Sequence, residues 1–525
     1  MAQPSRPRGM AAKRRDNGKG ATRGGRSIGP GRPGRGWVCG SIGAMRMKFS
    51  TLPSGSGGFL SRHDKAGRAG GCVLASPGAA WFFPAPFLPP SPGVAPPMPP
   101  SDTRGLRGAS LPIGLMLAIA PAVAVLQFRA VALLTVLGFL AAVALHGWER
   151  RRLPGARGAG LLPWPRPAVL APVLLPMGWL LASAAWSIEP GRAATTALTL
   201  GLYILLGAMA ARAVAEQPPH RLRAVLRCLG WGLAAGIALA LLDHASGNWL
   251  RAAVRGMSPA EAPPNLPFGL KPAVSIIAVL LPLALCLPHA QPAVLPRALR
   301  WALLPAGVLT VLWLPAESAK IAVLAGLAAM AAAWLLGAWV ARAAGALLAV
   351  AVLAAPLMFS AALPRLPALD AIPPSAAHRV LIWEFVLERI GERPLLGWGG
   401  ESSRSLPGGR DTFTPEALER FGLGGAVSRA WFEGVRAQRL PLHPHNAPLQ
   451  IWLELGAVGA LLAAGLLLWL GWHGAALHAP AAAGLLTSGG VVGMLSYGVW
   501  QAWWIGVLLL LAVGLTALAR LRATP

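Results

Sequence analysis

The chain has 525 residues, of which 55% are hydrophobic and only 13% charged, and its formal net charge is +28. Soluble domains average about 25% charged residues, so this composition excludes an ordinary soluble protein and favours a polytopic membrane protein. The positive charge does not indicate a nucleic-acid-binding protein, because half of it lies in the first fifth of the chain. Residues 1–107 contain 17 Lys/Arg and three acidic residues, a net charge of +14.

The first segment, residues 1–108, is predicted to be a disordered, basic, Pro/Gly-rich tail. Its composition buries too little apolar surface to offset the conformational entropy of an ordered chain. It is interpreted as a cytoplasmic tail, or as translated upstream sequence if synthesis starts at Met98 or Met116. An RNA-binding arm and a contact with anionic lipid are the functional alternatives.

From Ser110 onward, apolar runs recur that are long enough to cross the roughly 30 Å hydrocarbon core as helices. We therefore predict an all-α polytopic membrane protein with about twelve transmembrane helices. Nine lie within residues 109–363, and the last three, followed by a short cytoplasmic tail, lie within 447–525. The predicted spans are 110–127, 130–147, 167–186, 193–215, 222–242, 269–288, 298–314, 319–338, 342–363, 447–470, 480–498 and 501–519.

Short basic connections such as "GWERRRLPGARG" and "HRLRAVLR" fall on one side of the membrane if there are twelve spans. The positive-inside rule then places both termini in the cytoplasm. Two long connections, 243–271 and 364–446, fall outside, and the second is the large periplasmic loop between helices 9 and 10. "AAHRVLIWEFVLERIGERPLLGWG" in this loop has apolar residues at Val380, Trp383, Val386, Leu387 and Ile390, a spacing that predicts an amphipathic helix.

Two histidines and an asparagine, His443, His445 and Asn446, stand directly before the tenth predicted span, at its outer end. A neutral imidazole is a natural proton acceptor near pH 7. Asn446 is a good N-cap, which would orient the neighbouring His445, and Pro444 is expected to turn the two rings apart. Metal binding by the His-Pro-His pair and an interfacial histidine without a role are the alternatives. No cysteine or paired carboxylate nearby completes a metal site, so none is assigned.

Two lysines lie near membrane depth at the same outer face, Lys271 at the beginning of span 6 and Lys320 just inside span 8. Such charges are unfavourable unless they pair, snorkel to the interface or bind something. For either lysine alone, extension of the ammonium group to the membrane surface (snorkelling) is a sufficient explanation of its position. Together with His445 and with Arg379 on the amphipathic segment, they favour a site for an anionic lipid head group such as a diphosphate.

The segment "HNAPLQIWLELGAVG" has His, Asn, nine residues, Gly, two residues and Gly, and resembles the signature of the O-antigen ligase and polymerase superfamily. "HRVLIWEFVLERIGERPLLGWGGE" is similar to that family's Arg-x-x-x-Trp and Pro-Leu-Leu-Gly-Trp-Gly segment. The resemblance covers about residues 110–520 and implies a metal-independent glycosyltransferase without cofactor, in the bacterial inner membrane with its active site facing the periplasm. Its donor would be an undecaprenyl-diphosphate-linked glycan.

The resemblance also implies roles for individual residues. His445 corresponds to the presumed catalytic base and Arg379 to a loop arginine. Lys271 and Lys320 fall where the family usually has diphosphate-binding arginines, and lysine keeps the charge but lacks the bidentate fork. Asn446, His443 and Glu454 are assigned supporting roles.

The predicted function is an O-antigen ligase-like transfer of glycan to an acceptor hydroxyl on lipid A-core or a similar acceptor. A polymerase of the same superfamily would use the same residues. A transporter or flippase of lipid-linked glycan is the alternative from another class, and would require charges buried in mid-span and an internal repeat. Nucleic acid is not an expected partner.

Overall fold

The computed structural model describes residues 105–152, 160–258, 266–287 and 294–523. The predicted tail, except for its last four residues, lies outside the described residues. The described residues form fifteen α-helices and no β-strand, apart from an isolated antiparallel bridge between Thr412 and Gln438. The helices are α1 (Ser110–Gln127), α2 (Ala130–Arg151), α3 (Pro167–Ala182), α4 (Pro190–Ala215), α5 (Pro219–Ala245), α6 (Trp249–Val254), α7 (Lys271–Leu285), α8 (Arg297–Trp313), α9 (Glu317–Leu336), α10 (Ala338–Ala362), α11 (Pro374–Glu392), α12 (Pro415–Arg420), α13 (Ala426–Gly434), α14 (Ala447–Leu495) and α15 (Ala502–Arg522).

The predicted all-α membrane architecture is confirmed. Within the described part of the chain, ten helices are long and apolar enough to cross a membrane. Twelve spans were predicted, and helices α8 and α14 account for the difference between the two numbers. Helix α8 has 17 residues, at the lower limit of the length that one span needs. Helix α14 has 49 residues, more than twice the roughly 20 that one span needs. It departs from helical geometry at His478, between the tenth and eleventh predicted spans, so the number of spans stays a prediction.

Helix α7 lies at the centre of the bundle. Every residue from Pro272 to Ala284 is buried, as expected for a helix that is apolar on all sides. Its first residue is Lys271, so the helix presents this lysine at the same end of the bundle as the long loop Leu363–Asn446.

The predicted amphipathic helix of this loop is observed as α11. Val380, Val386 and Ile390 are buried, and Trp383 and Leu387 are partly buried, in two apolar clusters formed by the loop, α10 and the start of α14. The loop is therefore a folded unit packed against the helices, and α11 has a fixed position beside the start of α14.

Helix α14 is broken at Gly456, where φ is +63° and ψ is −162°. The segment Pro394–Glu401, which contains the sequence PLLGWGGE, occupies the break. A Cβ atom at position 456 would lie 2.2 Å from the Leu395 carbonyl oxygen, and one at Gly397 would lie 2.5 Å from the backbone of Glu454. Glycine is therefore required at both positions, because the two backbones approach too closely for any side chain.

The break leaves N–H and carbonyl groups of α14 without intrahelical partners. Backbone groups of the segment Pro394–Glu401 and the indole N–H of Trp179 form hydrogen bonds with them. The hydrogen bonds are Trp398 N to Leu453 O (2.9 Å), Gly399 N to Glu454 O (2.8 Å), Trp179 Nε1 to Leu455 O (3.1 Å), Ala457 N to Pro394 O (2.9 Å) and Val458 N to Leu395 O (3.4 Å). Non-helical backbone at membrane depth is tolerated only where protein or water satisfies it. The two motifs named in the sequence thus bind each other directly.

Gly456→Ala is expected to lower the thermal midpoint of unfolding sharply. The substitution combines a left-handed backbone, which costs about 1–3 kcal/mol for a residue with a side chain, with a steric clash against Leu395. The measurement is the unfolding midpoint of the detergent-solubilised protein.

The matched control is Gly465→Ala on the same helix, where a Cβ atom would meet open space. This variant should unfold at the wild-type temperature or slightly above it, because alanine favours a helix over glycine. Equal midpoints for the two variants would contradict the role assigned to the break.

Candidate functional site

Four chain segments meet at the loop end of the bundle. They are residues 443–446 before α14, helix α11 of the loop, residues 495–497 at the end of α14, and the start of α7. Hydrogen bonds of Arg379 and His445 to consecutive carbonyl groups, those of Leu495 and Ser496, connect the first three segments. The end of a helix leaves its last carbonyl groups without intrahelical partners, so these two are available to side chains.

The His445 ring has a defined tautomer. Its Nδ1 atom lies 2.7 Å from the carbonyl oxygen of Ser496. A carbonyl group only accepts hydrogen bonds, so Nδ1 carries the proton and donates it. In the neutral ring, Nε2 then holds a lone pair and can accept a proton. The ring is partly exposed, so a substrate hydroxyl can reach it.

His443 lies close to His445 but in a different environment. Its side chain is buried, with 7% exposure, and its Nδ1 atom accepts the backbone N–H of His445 at 3.1 Å. The ring centroids are 4.3 Å apart, so the expectation that Pro444 separates the two rings was wrong. The cause is the left-handed backbone of His445, whose φ is +57°. His443 therefore supports the unusual backbone of its neighbour and is itself shielded from substrate.

Arg379 is the cation most firmly placed at the site. One guanidinium nitrogen donates to the Leu495 carbonyl at 2.8 Å. This bond uses Nη1, and the guanidinium has four further N–H donors. Burial lowers its pKa from the ordinary value, and Tyr497 opposes that shift. An anion at this position would therefore meet a partly desolvated, oriented arginine.

Lys271 joins the same group of charges. Its ammonium lies 4.6 Å from the centroid of the Phe268 ring, and its charge acts on His445 together with that of Arg379. Its backbone carbonyl accepts a hydrogen bond from Ser275 Oγ at 2.9 Å. Of the predicted group of Lys271, Lys320, Arg379 and His445, the charges of Lys271 and Arg379 act on His445, and the roles of all four residues stay predictions.

Lys320 is placed differently. Its ammonium forms an ion pair with Glu317 Oε1 at 2.8 Å, one turn earlier on α9. The charges that act on His445 are those of Arg379, His378 and Lys271, and Lys320 is absent from this set of described residues. Helix α9 nevertheless reaches the site, because Ser318 Oγ is hydrogen-bonded to Ser496 Oγ. Lys320 is therefore a weaker candidate than Lys271 for binding an anion.

Tyr497 belongs to the site and was missed in the sequence. Its hydroxyl lies 3.0 Å from Ser275 Oγ, which already donates to the Lys271 carbonyl, so Tyr497 is the donor. Tyr497 thereby joins the segment after α14 to the start of α7. The one available signal was its rarity, because the chain contains only two tyrosines.

The two remaining predicted residues support the backbone. Asn446 is the N-cap of α14, as predicted, and its Oδ1 atom accepts the N–H of Leu449 at 3.0 Å. Glu454 is completely buried. Its carboxylate accepts hydrogen bonds from Glu401 N (2.6 Å), Gln450 Nε2 (3.0 Å), Trp500 Nε1 (2.6 Å) and Ser403 Oγ. Glu454 therefore fastens the PLLGWGGE segment to α14 and does not face a substrate.

The site keeps both histidines neutral near pH 7. Burial lowers the pKa of His445 to about 4, against the opposing effect of the Ser496 carbonyl, and Arg379 and Lys271 lower it further. Burial and the neighbouring His445 lower the pKa of His443 to about 3. A search of the described residues finds no group of three or more His, Cys, Asp or Glu that could hold a metal ion. The arrangement offers one proton acceptor beside two cations.

The low pKa of His445 predicts a pH-dependent stability. Because the folded-state pKa of about 4 lies below the ordinary 6.5, the unfolded chain binds more protons between these pH values. Stability is then complete above about pH 6.5 and is lost as pH falls toward 4, by at most about 1.4 kcal/mol per pH unit for one proton. Thermal midpoints of wild type and His445→Gln at pH 7.5 and 5 measure this. The variant should lose less stability; equal losses would contradict the assignment.

Comparison with known proteins adds independent information. Residues 301–464 match the family model described as O-antigen ligase, a stretch that includes α11 and His445. A protein of Rickettsia conorii named "Putative polysaccharide ligase" is 35% identical over 139 residues, which cover 26% of this chain and 30% of that protein. Relatives of the same name from Rickettsia prowazekii, 35% identical over 139 residues, and Rickettsia bellii, 36% identical over 136 residues, match 30% and 29% of their own lengths.

The matched stretch is thus less than a third of each of these relatives. No solved structure is significantly similar to the chain. The family model and the relatives agree with the two sequence motifs, which interlock at the break in α14. Residues 301–464 therefore match the O-antigen ligase domain, and through this stretch the chain is similar to the O-antigen ligase superfamily.

Proposed function

We propose that the protein is a glycan ligase of the bacterial inner membrane. It transfers a glycan from undecaprenyl diphosphate to an acceptor hydroxyl, on lipid A-core or a similar molecule, at the periplasmic face. The observation that carries the proposal is the His445 ring, whose Nδ1 atom donates to Ser496 and whose Nε2 atom is free to accept a proton. Arg379 and Lys271 lie within electrostatic range of it, which suits a reaction that releases a diphosphate.

In the proposed reaction, His445 Nε2 takes the proton of the acceptor hydroxyl as its oxygen attacks the anomeric carbon of the donor. The bond between that carbon and the diphosphate breaks, and the leaving lipid diphosphate gains negative charge. Arg379 and Lys271 stabilise this charge. The donor bond is already activated, so the proton transfer and the charge stabilisation are what these residues contribute.

Donor binding would also strengthen the base. The positive charges of Arg379 and Lys271 lower the pKa of His445 in the free protein. A bound diphosphate would offset these charges and raise the proton affinity of Nε2 when the acceptor arrives. The site would thus accept a proton most readily when the donor is in place.

A polymerase that extends lipid-linked repeats would use the same residues and differ in its acceptor. The relatives that match the chain carry the name polysaccharide ligase, and this favours the ligase. A transporter or flippase has no need for a partly exposed histidine whose tautomer is fixed.

His445→Ala is expected to reduce glycan transfer by roughly 10²–10⁴-fold, the usual contribution of a general base. Transfer from purified lipid-linked glycan to an acceptor lipid in proteoliposomes measures this, with the amount of inserted protein determined in parallel. The control is His220→Ala at the start of α5, which should transfer at the wild-type rate. Near-normal transfer by correctly inserted His445→Ala protein would remove the proposed mechanism.

Lys271→Met is expected to raise the KM for the donor more than Lys320→Met does. Lys271 shares the electrostatic environment of His445, whereas the charge of Lys320 is already paired with Glu317. Lys271→Arg should retain donor binding, because arginine preserves the charge and adds a bidentate fork. Steady-state kinetics with varied donor measure both effects, and a larger effect at Lys320 would contradict this order.

A further inference from the structure

The loop carries a cavity of about 470 Å³ between α11 and α13. It is lined by His378 of α11, Trp431 of α13 and the segment that follows α13, including Arg436, Gln438 and Pro441. Its volume lies within the roughly 300–1,000 Å³ of small-molecule binding sites. None of the reaction steps proposed above uses this cavity.

One wall of the cavity is aromatic. The Trp431 ring lies 5.1 Å from Phe432 and 6.0 Å from His378, measured between centroids, in edge-to-face contacts. Trp431 is only partly buried, so part of its indole remains available to a ligand. An aromatic face of this kind attracts C–H groups, whose hydrogens carry partial positive charge.

Two polar side chains on the cavity wall have no partner within the described part of the chain. No carboxylate lies within ion-pair distance of Arg436, which is exposed. The side-chain amide of Gln438 makes no hydrogen bond there, although its backbone carbonyl does. Guanidinium and amide groups are donors that match hydroxyl and carboxylate oxygens.

The wall that carries these side chains is held rigidly. His378 Nε2 donates to the Gln438 carbonyl at 2.8 Å, and Gln438 forms the antiparallel bridge with Thr412. Arg436 has a positive φ of 47° because it belongs to the C-terminal cap of α13. Its N–H donates to the Glu433 carbonyl at 3.0 Å, and the N–H of Ala437 donates to the Phe432 carbonyl at 2.9 Å.

We propose that this cavity binds a sugar ring of the glycan that the enzyme transfers or accepts, an inference that rests on the proposed function. A sugar ring has an apolar C–H face, which fits Trp431, and a rim of hydroxyl groups, which fits Arg436 and Gln438. A purely apolar ligand would leave the polar groups unpaired, which is unfavourable. A small inorganic anion would not use the aromatic wall.

The position of the cavity fits a subsite near the reacting centre. His378 lines the cavity and also acts electrostatically on His445. The next residue, Arg379, binds the Leu495 carbonyl beside His445. His378 of the sugar subsite and Arg379 of the diphosphate site are therefore consecutive residues of α11. A glycan bound in the cavity extends from the reaction centre along the loop.

The test is direct binding of free oligosaccharide to the full-length protein in detergent. The probe is the oligosaccharide released by mild acid from the lipid-linked glycan of the source cells, and saturation-transfer NMR detects binding. Trp431→Ala and Arg436→Asn should each weaken binding by about tenfold, as loss of a central aromatic or arginine contact does. Asparagine tolerates the left-handed backbone at position 436, so Arg436→Asn tests the site without disturbing the fold.

Trp249→Ala provides the matched control, because Trp249 is an exposed tryptophan on α6, outside the loop Leu363–Asn446. It should bind the oligosaccharide as the wild type does. His445→Ala should also retain binding, because His445 does not line the cavity. A wild-type protein that binds the oligosaccharide but transfers no glycan would refute the proposed function and leave the subsite standing. Wild-type transfer with unchanged oligosaccharide binding in both Trp431→Ala and Arg436→Asn would overturn the subsite alone.

Transfer kinetics with Arg436→Asn then identify the source of the bound sugar. A higher KM for the lipid-linked donor at unchanged kcat would assign the subsite to the donor glycan. A higher KM for the acceptor would assign it to the acceptor. Unchanged KM for both substrates would overturn the subsite, because a cavity outside the reaction path would not affect either one.

Discussion

Inside a membrane, a break in a helix leaves backbone N–H and carbonyl groups that water cannot reach, and this constraint governs the structure around Gly456. Each unpaired group would cost several kcal/mol in hydrocarbon. Five hydrogen bonds from the PLLGWGGE segment and from Trp179 satisfy the break. Glu454 adds a buried carboxylate that accepts four hydrogen bonds from the surrounding backbone and side chains. The loop is therefore fastened to the bundle at the helix that carries His445 at its start.

The position of the site follows from this attachment. Because the PLLGWGGE segment directly follows α11, fixing the segment also fixes the end of that helix. The other side of α11 is fixed by Trp383, which donates to the Pro444 carbonyl at 2.9 Å. Arg379 and His445 then bind consecutive carbonyl groups at the far end of α14. Because α14 departs from helical geometry at His478, its two ends meet. Its start lies directly after His445, the proposed base, and its end supplies the carbonyl groups that orient His445 and Arg379.

The electrostatics of the site reflect a compromise between binding and catalysis. A cluster of cations near His445 suits an anionic donor, but it also lowers the proton affinity of the ring. Fixing the tautomer through Ser496 keeps Nε2 unprotonated in the empty site. The proposed sugar subsite is a separate, aromatic-walled cavity that includes His378 of α11.

Sequence alone determined the helical membrane class, the approximate bounds of most spans, the amphipathic α11 and the N-cap at Asn446. These features depend on local periodicity and on residue chemistry, which the sequence displays directly. It also identified His445 and Lys271, because titratable groups near the membrane are conspicuous, and it identified Arg379 through the family-like motif on the amphipathic segment. The tertiary structure decided which of the candidate residues lie close to one another. It paired Lys320 with Glu317, brought the rings of His443 and His445 together through a left-handed backbone, and added Tyr497. The Tyr497 contact joins residues far apart in the chain and depends on packing that no local pattern contains. The other two contacts are local, but they depend on a side-chain conformation and on a left-handed backbone that residue spacing does not reveal.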